Sequence, residues 1–223
     1  MREIILDTET TGFDSKGADR IVEIGCIELI NHMPTDNTFQ CYINPERDMP
    51  AEAFNVHGLS SDFLSEHPVF AAIADKFIAF ISNDPLVIHN ASFDIGFINA
   101  EFKRLGHPPI PIERAIDTVS MARKKFPGAQ ANLDALCRRF QIDLSDRSLH
   151  GALKDSGLLA KVYLELIGGR QPDLELAKKT KKLSAEGNDR LVQPPRPHAP
   201  TKAEEKAHAT FIDRLEEPIW RAS

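Results

Sequence analysis

The chain lacks long apolar runs, and it has few of the features that mark a secreted or membrane-bound protein. No uninterrupted apolar stretch approaches the roughly 20 residues that a transmembrane helix needs. The first residues follow a strand pattern, not a basic segment followed by an apolar one, so no export signal is predicted. Cys26, Cys41 and Cys137 make an odd number without metal-ligand spacing, which indicates ordinary reduced thiols. These absences predict a cytoplasmic protein without a membrane anchor.

Positive charge is also scarce in the larger part of the chain. Residues 1–176 carry 17 basic and 26 acidic side chains, a net charge of −9, whereas residues 177–223 carry 10 and 7, a net charge of +3. Because a negatively charged body repels a polyanion, it is a poor independent binder of nucleic acid. Any action on nucleic acid would therefore require cations at the site or a partner that delivers the substrate.

The order of strand patterns and helix patterns predicts an α/β protein. At 42% apolar content, 223 residues suffice for the core of one sizeable domain followed by a tail. Three strand patterns separated by short connections indicate an antiparallel meander, and the later strand patterns alternate with helical ones. This order predicts a mixed central sheet with helices on both faces. The predicted strands are 2–7, 20–30, 38–44, 85–90 and the start of 115–126, and the predicted helices are 69–82, 91–106, the rest of 115–126, 132–142 and 151–169.

The composition changes near residue 187, where a tail begins. Four prolines in GNDRLVQPPRPHAP, residues 187–200, predict an extended, semi-rigid linker. The segment after it has helical potential over 201–217 and closes with the only tryptophan of the chain. A flexible segment that is too short for a core but carries a large aromatic residue is typical of a docking peptide. The predicted organisation is a folded domain at 1–170, a connector at 171–186, the linker at 187–200 and a docking segment at 201–223.

Two acids directly follow the aliphatic run at the end of the first predicted strand. In ILDTETTG, residues 4–11, Asp7 and Glu9 stand two positions apart, so both carboxylates should lie on one face of the strand. Buried carboxylates are unfavourable unless they are paired or bind a metal, and strand interiors disfavour aspartate. This position therefore predicts a cation site.

One more acid, and a histidine with a further acid, begin two of the predicted helices. Asp94 lies one turn into the helix at 91–106, and His150 and Asp155 stand five residues apart at the start of the helix at 151–167. Carboxylate oxygens suit Mg²⁺ and Mn²⁺, and two such ions roughly 4 Å apart assist phosphodiester hydrolysis. A histidine with a pKa near neutrality can take the proton from the attacking water.

Three segments together resemble the motifs of the DEDDh group of 3′→5′ exonucleases. They are LDTETTG at 6–12, HNASFDIGF at 89–97 and HGALKDSGLLAKVY at 150–163. Within that group, residues 1 to about 170 are similar to the proofreading subunits of bacterial DNA polymerase III. The resemblance implies an RNase H-like exonuclease fold and removal of nucleotides from DNA 3′ ends as 5′-monophosphates. It further implies that two divalent ions, Mg²⁺ or Mn²⁺, are held by Asp7, Glu9, Asp94 and Asp155, with His150 as the general base.

The same resemblance implies substrate and partner contacts. Glu52 and His57 would contact the 3′-terminal nucleotide of single-stranded DNA together with Asp7, Glu9 and Asp155, and Phe93 would be either core or a platform for a base. QPDLEL resembles motifs that dock on the sliding clamp, and the chain end would bind the polymerase alpha subunit. The implied clamp contacts are Gln171, Leu174 and Leu176, and the implied polymerase contacts are Phe211, Leu215, Ile219 and Trp220.

Two other interpretations use the same residues differently. An exonuclease that trims RNA 3′ ends or short oligonucleotides would share the chemistry, but it would not need the linker and the Trp220 segment. A non-catalytic scaffold between clamp and polymerase would not need the complete set of four acids and His150. The basic run KKTKK at 178–182 is interpreted as a solvated helix face or the start of the linker, with DNA phosphates as the alternative contact.

Overall fold

A computed structural model describes residues 1–145, 149–168 and 199–215 of the chain. Its centre is a five-stranded mixed sheet with the strand order β3-β2-β1-β4-β5. The first three strands pair antiparallel, while β4 runs parallel to β1 and β5 parallel to β4. The strands are β1 Arg2–Thr10, β2 Ile21–Ile30, β3 Met33–Tyr42, β4 Leu86–Ile88 and β5 Ala115–Asp117.

Eight α-helices and one 3₁₀-helix, Ile112–Arg114, are present in the described part of the chain. Their ends carry the expected signals: the Asn132 side chain accepts a hydrogen bond from the Ala135 amide at the start of α6, and Gly106 with φ 77° ends α4. None of the described helices is long and apolar enough to cross a membrane. The helices are α1 Ala51–His57, α2 Ser61–Ser65, α3 Phe70–Ile81, α4 Ala91–Leu105, α5 Thr118–Lys125, α6 Leu133–Arg139, α7 Ala152–Leu166 and α8 Lys202–Ile212.

The central strand β1 divides the core into two layers because its side chains alternate between the faces of the sheet. Ile4 and Leu6 pack with residues of α3 and α4, whereas Ile5 packs with residues of α5, α6 and α7. The predicted sheet with helices on both faces is therefore confirmed. By the same alternation, Asp7 and Glu9 continue the Ile5 face, on which α7 lies.

A glycine allows the N-terminus of α7 to approach this face closely. A Cβ on Gly25 would lie 2.2 Å from the Leu153 nitrogen, so a side chain there would displace the helix. The helix is also hydrogen-bonded to β2: the Ser156 hydroxyl donates to the Gly25 carbonyl at 2.9 Å, and the Ala152 amide donates to Glu23 Oε2 at 3.1 Å. The start of α7 is thus held beside Asp7, which is opposite Gly25 in the strand register.

The third strand begins five residues earlier than its sequence pattern predicts, at Met33 and not at residue 38. Asn31 and His32 both adopt positive φ, 50° and 67°, and form a tight two-residue hairpin connection. The turn brings Pro34 into register with Leu29. Proline is tolerated because β3 is an edge strand, so local sequence was a poor guide here.

The C-terminal unit contains α8, within the segment predicted to have helical potential. Its start is a capping box in which Thr201 and Glu204 exchange side chain to backbone hydrogen bonds. The predictions for residues 169–198 and 216–223 lie outside the described residues, and they include Gln171, Leu174, Leu176, Ile219 and Trp220.

Candidate active site

Three elements carry the five residues that the sequence singled out. Asp7 and Glu9 lie near the end of β1, Asp94 in the first turn of α4, and Asp155 in the first turn of α7, with His150 just before that helix. One ligand atom each of Glu9, His150 and Asp155 lie within 4.8 Å of one another. The Asp7 carboxyl interacts electrostatically with Asp94, Glu9 and Asp155. The fold therefore brings all five side chains to one place.

The turn before α4 places Asp94 against β1. Asn90 has φ 67°, a left-handed conformation that asparagine tolerates, so α4 starts three residues after β4 ends. The Asn90 amide donates to Asp117 Oδ1 at 3.1 Å, which holds this turn to β5. Asp94 is buried, and its Oδ1 accepts a hydrogen bond of 2.7 Å from the Thr8 hydroxyl.

The clustered acids repel one another. Burial raises the pKa of Asp7 well above its usual value, and the neighbouring Asp94 and Glu9 raise it further. Burial raises the pKa of Glu9 to about 8, partly opposed by His150. The pKa of Asp94 is raised to about 7 by burial, although the hydrogen bond from Thr8 lowers it in part. A divalent cation would relieve this repulsion, and a cluster of hard carboxylate oxygens fits Mg²⁺ or Mn²⁺.

His150 is in contact with both Asp155 and the backbone of α1. Its Nδ1 lies 3.0 Å from Asp155 Oδ2, and its amide donates to the Val56 carbonyl at 3.1 Å. The imidazole is 46% exposed, whereas Asp155 is buried, so water can reach the ring that Asp155 orients. A partly exposed imidazole with an adjacent carboxylate is a suitable proton acceptor.

A cavity of about 580 Å³ opens beside Glu9 and contains the other two predicted substrate residues, Glu52 and His57. Phe93 also lines it, although its ring packs against the core residue Phe97 at 4.9 Å between centroids. Phe93 is thus part of the core and of the cavity wall. Phe13, which no motif indicated, lines the same cavity and is 88% exposed.

His57 lines the cavity beside Glu9, and the Nε2 atom of its ring is buried. Its Nδ1 accepts a hydrogen bond from the Leu59 amide at 3.0 Å, which leaves the proton of a neutral ring on Nε2. Burial lowers the pKa of His57, partly opposed by the Thr10 backbone, so the neutral form is favoured. Within the described residues Nε2 makes no hydrogen bond of ordinary geometry.

A second cavity, of about 370 Å³, adjoins the same acids from another side. Asp7, His150 and Asp155 line it. The sequence patterns assigned no substrate role to its other walls, because β4 and α6 meet the acids only in the folded chain. These other lining residues are His89, Asn132, Leu133, Asp134 and Arg138.

Glu23 is a further buried acid that the sequence reasoning missed. It lies opposite Glu9 in the strand register, and it accepts hydrogen bonds from the Ala152 amide and from Gln40 Nε2, the latter at 2.8 Å. The available signal was a single acid inside the apolar strand RIVEIG. Glu23 therefore connects the start of α7 to β2 beside the predicted metal-binding acids.

The sequence matches a known protein family and several curated proteins. The exonuclease family (RNase_T) matches residues 4–163. Among curated proteins, DNA polymerase III subunit epsilon of Rickettsia conorii is 49% identical over 222 residues, which cover 96% of each chain. The epsilon subunit of Escherichia coli K12 is 48% identical over 177 residues, covering 76% of this chain and 72% of that one.

Solved nuclease structures share the fold. Exonuclease X in complex with 5′ overhanging duplex DNA superposes with a TM-score of 0.59 at 25% identity, covering 74% of this chain and 90% of that one. The nuclease domain of 3′hExo, a DEDDh family member bound to rAMP, gives a TM-score of 0.65 at 20% identity, with coverages of 74% and 91%.

The chain belongs to the exonuclease family, and its fold is that of the DEDDh exonucleases. Within that family it belongs to the epsilon subunits of DNA polymerase III. The predictions of an RNase H-like fold and of an exonuclease are confirmed. The family implies divalent metal ions, in agreement with the oxygen donors gathered at the site.

Proposed function

We propose that this chain removes mispaired nucleotides from the 3′ end of DNA, as the proofreading exonuclease of a bacterial replicase. The observation that carries the proposal is the convergence of Asp7, Glu9, Asp94 and Asp155 with His150 at one edge of the sheet. The membership in the epsilon subunits supports the replicative context, and a cytoplasmic location follows from it.

The side chains divide the hydrolysis between them. Asp7, Glu9, Asp94 and Asp155 would hold two divalent cations, Mg²⁺ or Mn²⁺, which when bound activate water and stabilise the leaving oxygen. His150, oriented by Asp155, accepts a proton from the attacking water. The water oxygen bonds to phosphorus and the bond from phosphorus to the 3′ oxygen breaks. The products are a nucleoside 5′-monophosphate and a strand with a new 3′-hydroxyl.

The terminal nucleotide would occupy the cavity beside Glu9. Phe93 and Val56 offer apolar surface to a base, while Glu52 and the His57 Nε2–H offer polar contacts to the sugar. A mispaired end leaves the duplex at a lower free-energy cost than a paired one, so it reaches this cavity more often.

The tail would connect the nuclease to its partners. Phe211 and Leu215 are 59% and 39% exposed, which supports an apolar contact between the end of the chain and the polymerase alpha subunit. Deletion of residues 201–223 should abolish polymerase binding and leave nuclease activity intact. Substitution of Leu174 and Leu176 by alanine should abolish clamp binding alone. Retained binding in either variant would refute the corresponding contact.

The test of the activity is digestion of end-labelled single-stranded DNA and matched RNA by the purified chain with Mg²⁺. Stepwise shortening of DNA from the 3′ end, with RNA much slower and Asp7→Ala inactive, is the expected result. Preference for RNA would indicate an RNA-trimming enzyme. Cleavage of neither substrate would indicate a scaffold with a degenerate site.

A further inference from the structure

The two cavities that adjoin the acids differ in charge and polarity. The cavity beside Glu9 is lined by Phe13, Phe93 and Val56, and its charged walls are the acids Glu9, Asp19 and Glu52, with no lysine or arginine among the described lining residues. The second cavity is also lined by three acids, Asp7, Asp134 and Asp155, but its walls add amide, imidazole and guanidinium groups. It also contains Arg138, the one lysine or arginine among the described residues that line either cavity.

This difference suggests which cavity takes which part of a DNA strand. The nucleotide at the 3′ end has no phosphate beyond its own, so its cavity needs apolar walls for a base and no positive charge. The rest of the strand continues with one negative charge per nucleotide, and it must leave the acids through another opening. Of the two cavities that adjoin the acids, the second is the one whose described lining residues offer such a strand a permanent positive charge.

Arg138 is well placed to exchange its present partner for a phosphate. It lies in the last turn of α6, and its Nη2 is 3.9 Å from Asp134 Oδ2 on the same helix. The side chain is 72% exposed, and an exposed pair of this spacing is weak, so breaking it costs little. The backbone of α6 beside Arg138 is fixed, because Leu136 and Cys137 are buried in the core.

We propose that the cavity around Arg138 binds the sugar-phosphate backbone of the strand upstream of the scissile bond, with the Arg138 guanidinium as the phosphate contact. Arginine suits this role because its planar donors match phosphate oxygens in pairs. This inference rests on the proposed exonuclease function and adds a specific substrate contact to it. It also explains how a domain of net negative charge holds a strand during hydrolysis.

The test compares substrates that do and do not extend into the cavity. The p-nitrophenyl ester of thymidine 5′-monophosphate has a scissile phosphate but no upstream strand, whereas oligothymidylates of two to eight nucleotides have a growing one. In the full-length chain with Mg²⁺, Arg138→Gln should raise KM for the longer oligothymidylates by roughly 3- to 10-fold at low salt. Hydrolysis of the ester should be unchanged.

Salt dependence gives a second, independent signal. Loss of one phosphate contact should reduce the slope of log KM against log salt concentration by about 0.7 for a single strand. Arg138→Lys keeps the charge and should retain most of the slope. Asp134→Asn should have the opposite effect to Arg138→Gln and lower KM, because it removes a negative charge from the same cavity.

The neighbouring arginine is a matched control. Arg139 stands on the same helix but stacks over the Phe126 ring, 4.5 Å from its centroid, and does not line the cavity. Arg139→Gln removes the same charge and should leave KM for every substrate unchanged.

Three results would overturn the inference. Equal effects of Arg138→Gln and Arg139→Gln on KM would mean that the loss of net positive charge, and not a specific phosphate contact, causes the change. Loss of ester hydrolysis in Arg138→Gln would mean that the residue supports the catalytic centre itself. A wild-type chain that cleaves neither ester nor oligothymidylate would overturn the proposed function and, with it, this contact.

Discussion

The two ends of strand β1 carry acids in opposite situations. At its start, Glu3 is fully buried and satisfied: the Tyr163 hydroxyl donates to Oε1 at 2.7 Å, and His32 Nδ1 lies 2.6 Å from Oε2. Near its end, Asp7 and Glu9 face further acids, and burial together with mutual repulsion raises their pKa values. The two sites are only four residues apart along one strand.

The difference separates a structural acid from the acids that we propose to bind the metal ions. A buried carboxylate that receives hydrogen bonds is stabilised by its own fold and helps to join α7 to the sheet. Carboxylates that are buried together without enough positive charge destabilise the fold, and they are stabilised when a cation binds. Burial of an acid is therefore weak evidence of a metal site, whereas the absence of compensating donors is stronger evidence.

The largest expected effect is a loss of exonuclease activity that follows substitution near the end of β1 but not at its start. Asp7→Asn should reduce the exonuclease rate by at least about 10³-fold, because it removes a ligand of the ions that activate water. Glu3→Gln should leave the rate within about twofold, since the described hydrogen-bond partners of Glu3, His32 and Tyr163, are not residues of the site. Steady-state digestion of labelled DNA measures both variants, and similar losses in the two would abolish the distinction.

His150→Ala should slow hydrolysis on the order of 10²- to 10⁴-fold, the usual contribution of a general base. The pH dependence of the remaining activity should be weaker, and stabilisation by Mn²⁺ should persist because the four acids are intact. Rate against pH and thermal unfolding with and without Mn²⁺ distinguish these effects. An unchanged rate would remove His150 from the role of base.

Stability should respond to pH in the direction set by the raised pKa values. A carboxyl whose pKa rises on folding stabilises the folded state below its unfolded pKa, and this contribution is lost as the pH rises through the folded pKa. For Glu9 the window runs from 4.5 to about 8, and for Asp94 from 3.8 to about 7. In the presence of a metal chelator, the free energy of unfolding of the wild type should thus decrease by a few kcal/mol between about pH 4 and about pH 8.

Glu9→Gln should flatten this decrease, and Mn²⁺ at pH 8 should restore the stability of the wild type. Urea unfolding at several pH values, with and without Mn²⁺, measures the difference between the two proteins. Parallel profiles for wild type and variant would contradict the assigned repulsion.

The smallest expected effect concerns the start of β1, where Glu3 is hydrogen-bonded. Tyr163→Phe removes one donor from Glu3 and should lower the free energy of unfolding by about 1–3 kcal/mol, with the exonuclease rate unchanged. Tyr163 is a buried residue of α7, so the loss should appear as a lower midpoint of thermal unfolding. A loss of activity at unchanged stability would mean that this cluster communicates with the site.

Local patterns predicted most of the fold because they report periodicity and end signals. Strand alternation identified the face shared by Asp7 and Glu9, and the cap at Asn132 and the glycine after α4 marked helix ends correctly. The start of β3 was missed because pairing with β2, and not its own residues, makes residues 33–37 extended. Glu23, Phe13 and Arg138 were missed because their importance depends on neighbours far away in sequence.

Local propensity is enough to place the acids and His150 at the end of β1 and at the starts of α4 and α7. Which of the acids receive hydrogen bonds depends instead on the packing of distant parts of the chain. Tyr163 reaches Glu3 across 160 residues of chain, whereas Asp94 and Asp155 lie beside Asp7, which receives no side-chain hydrogen bond from the residues that the structure describes. Because the energy of a buried charge depends on the groups that surround it in space, the same strand can carry a structural acid at one end and a cluster of mutually repelling acids at the other.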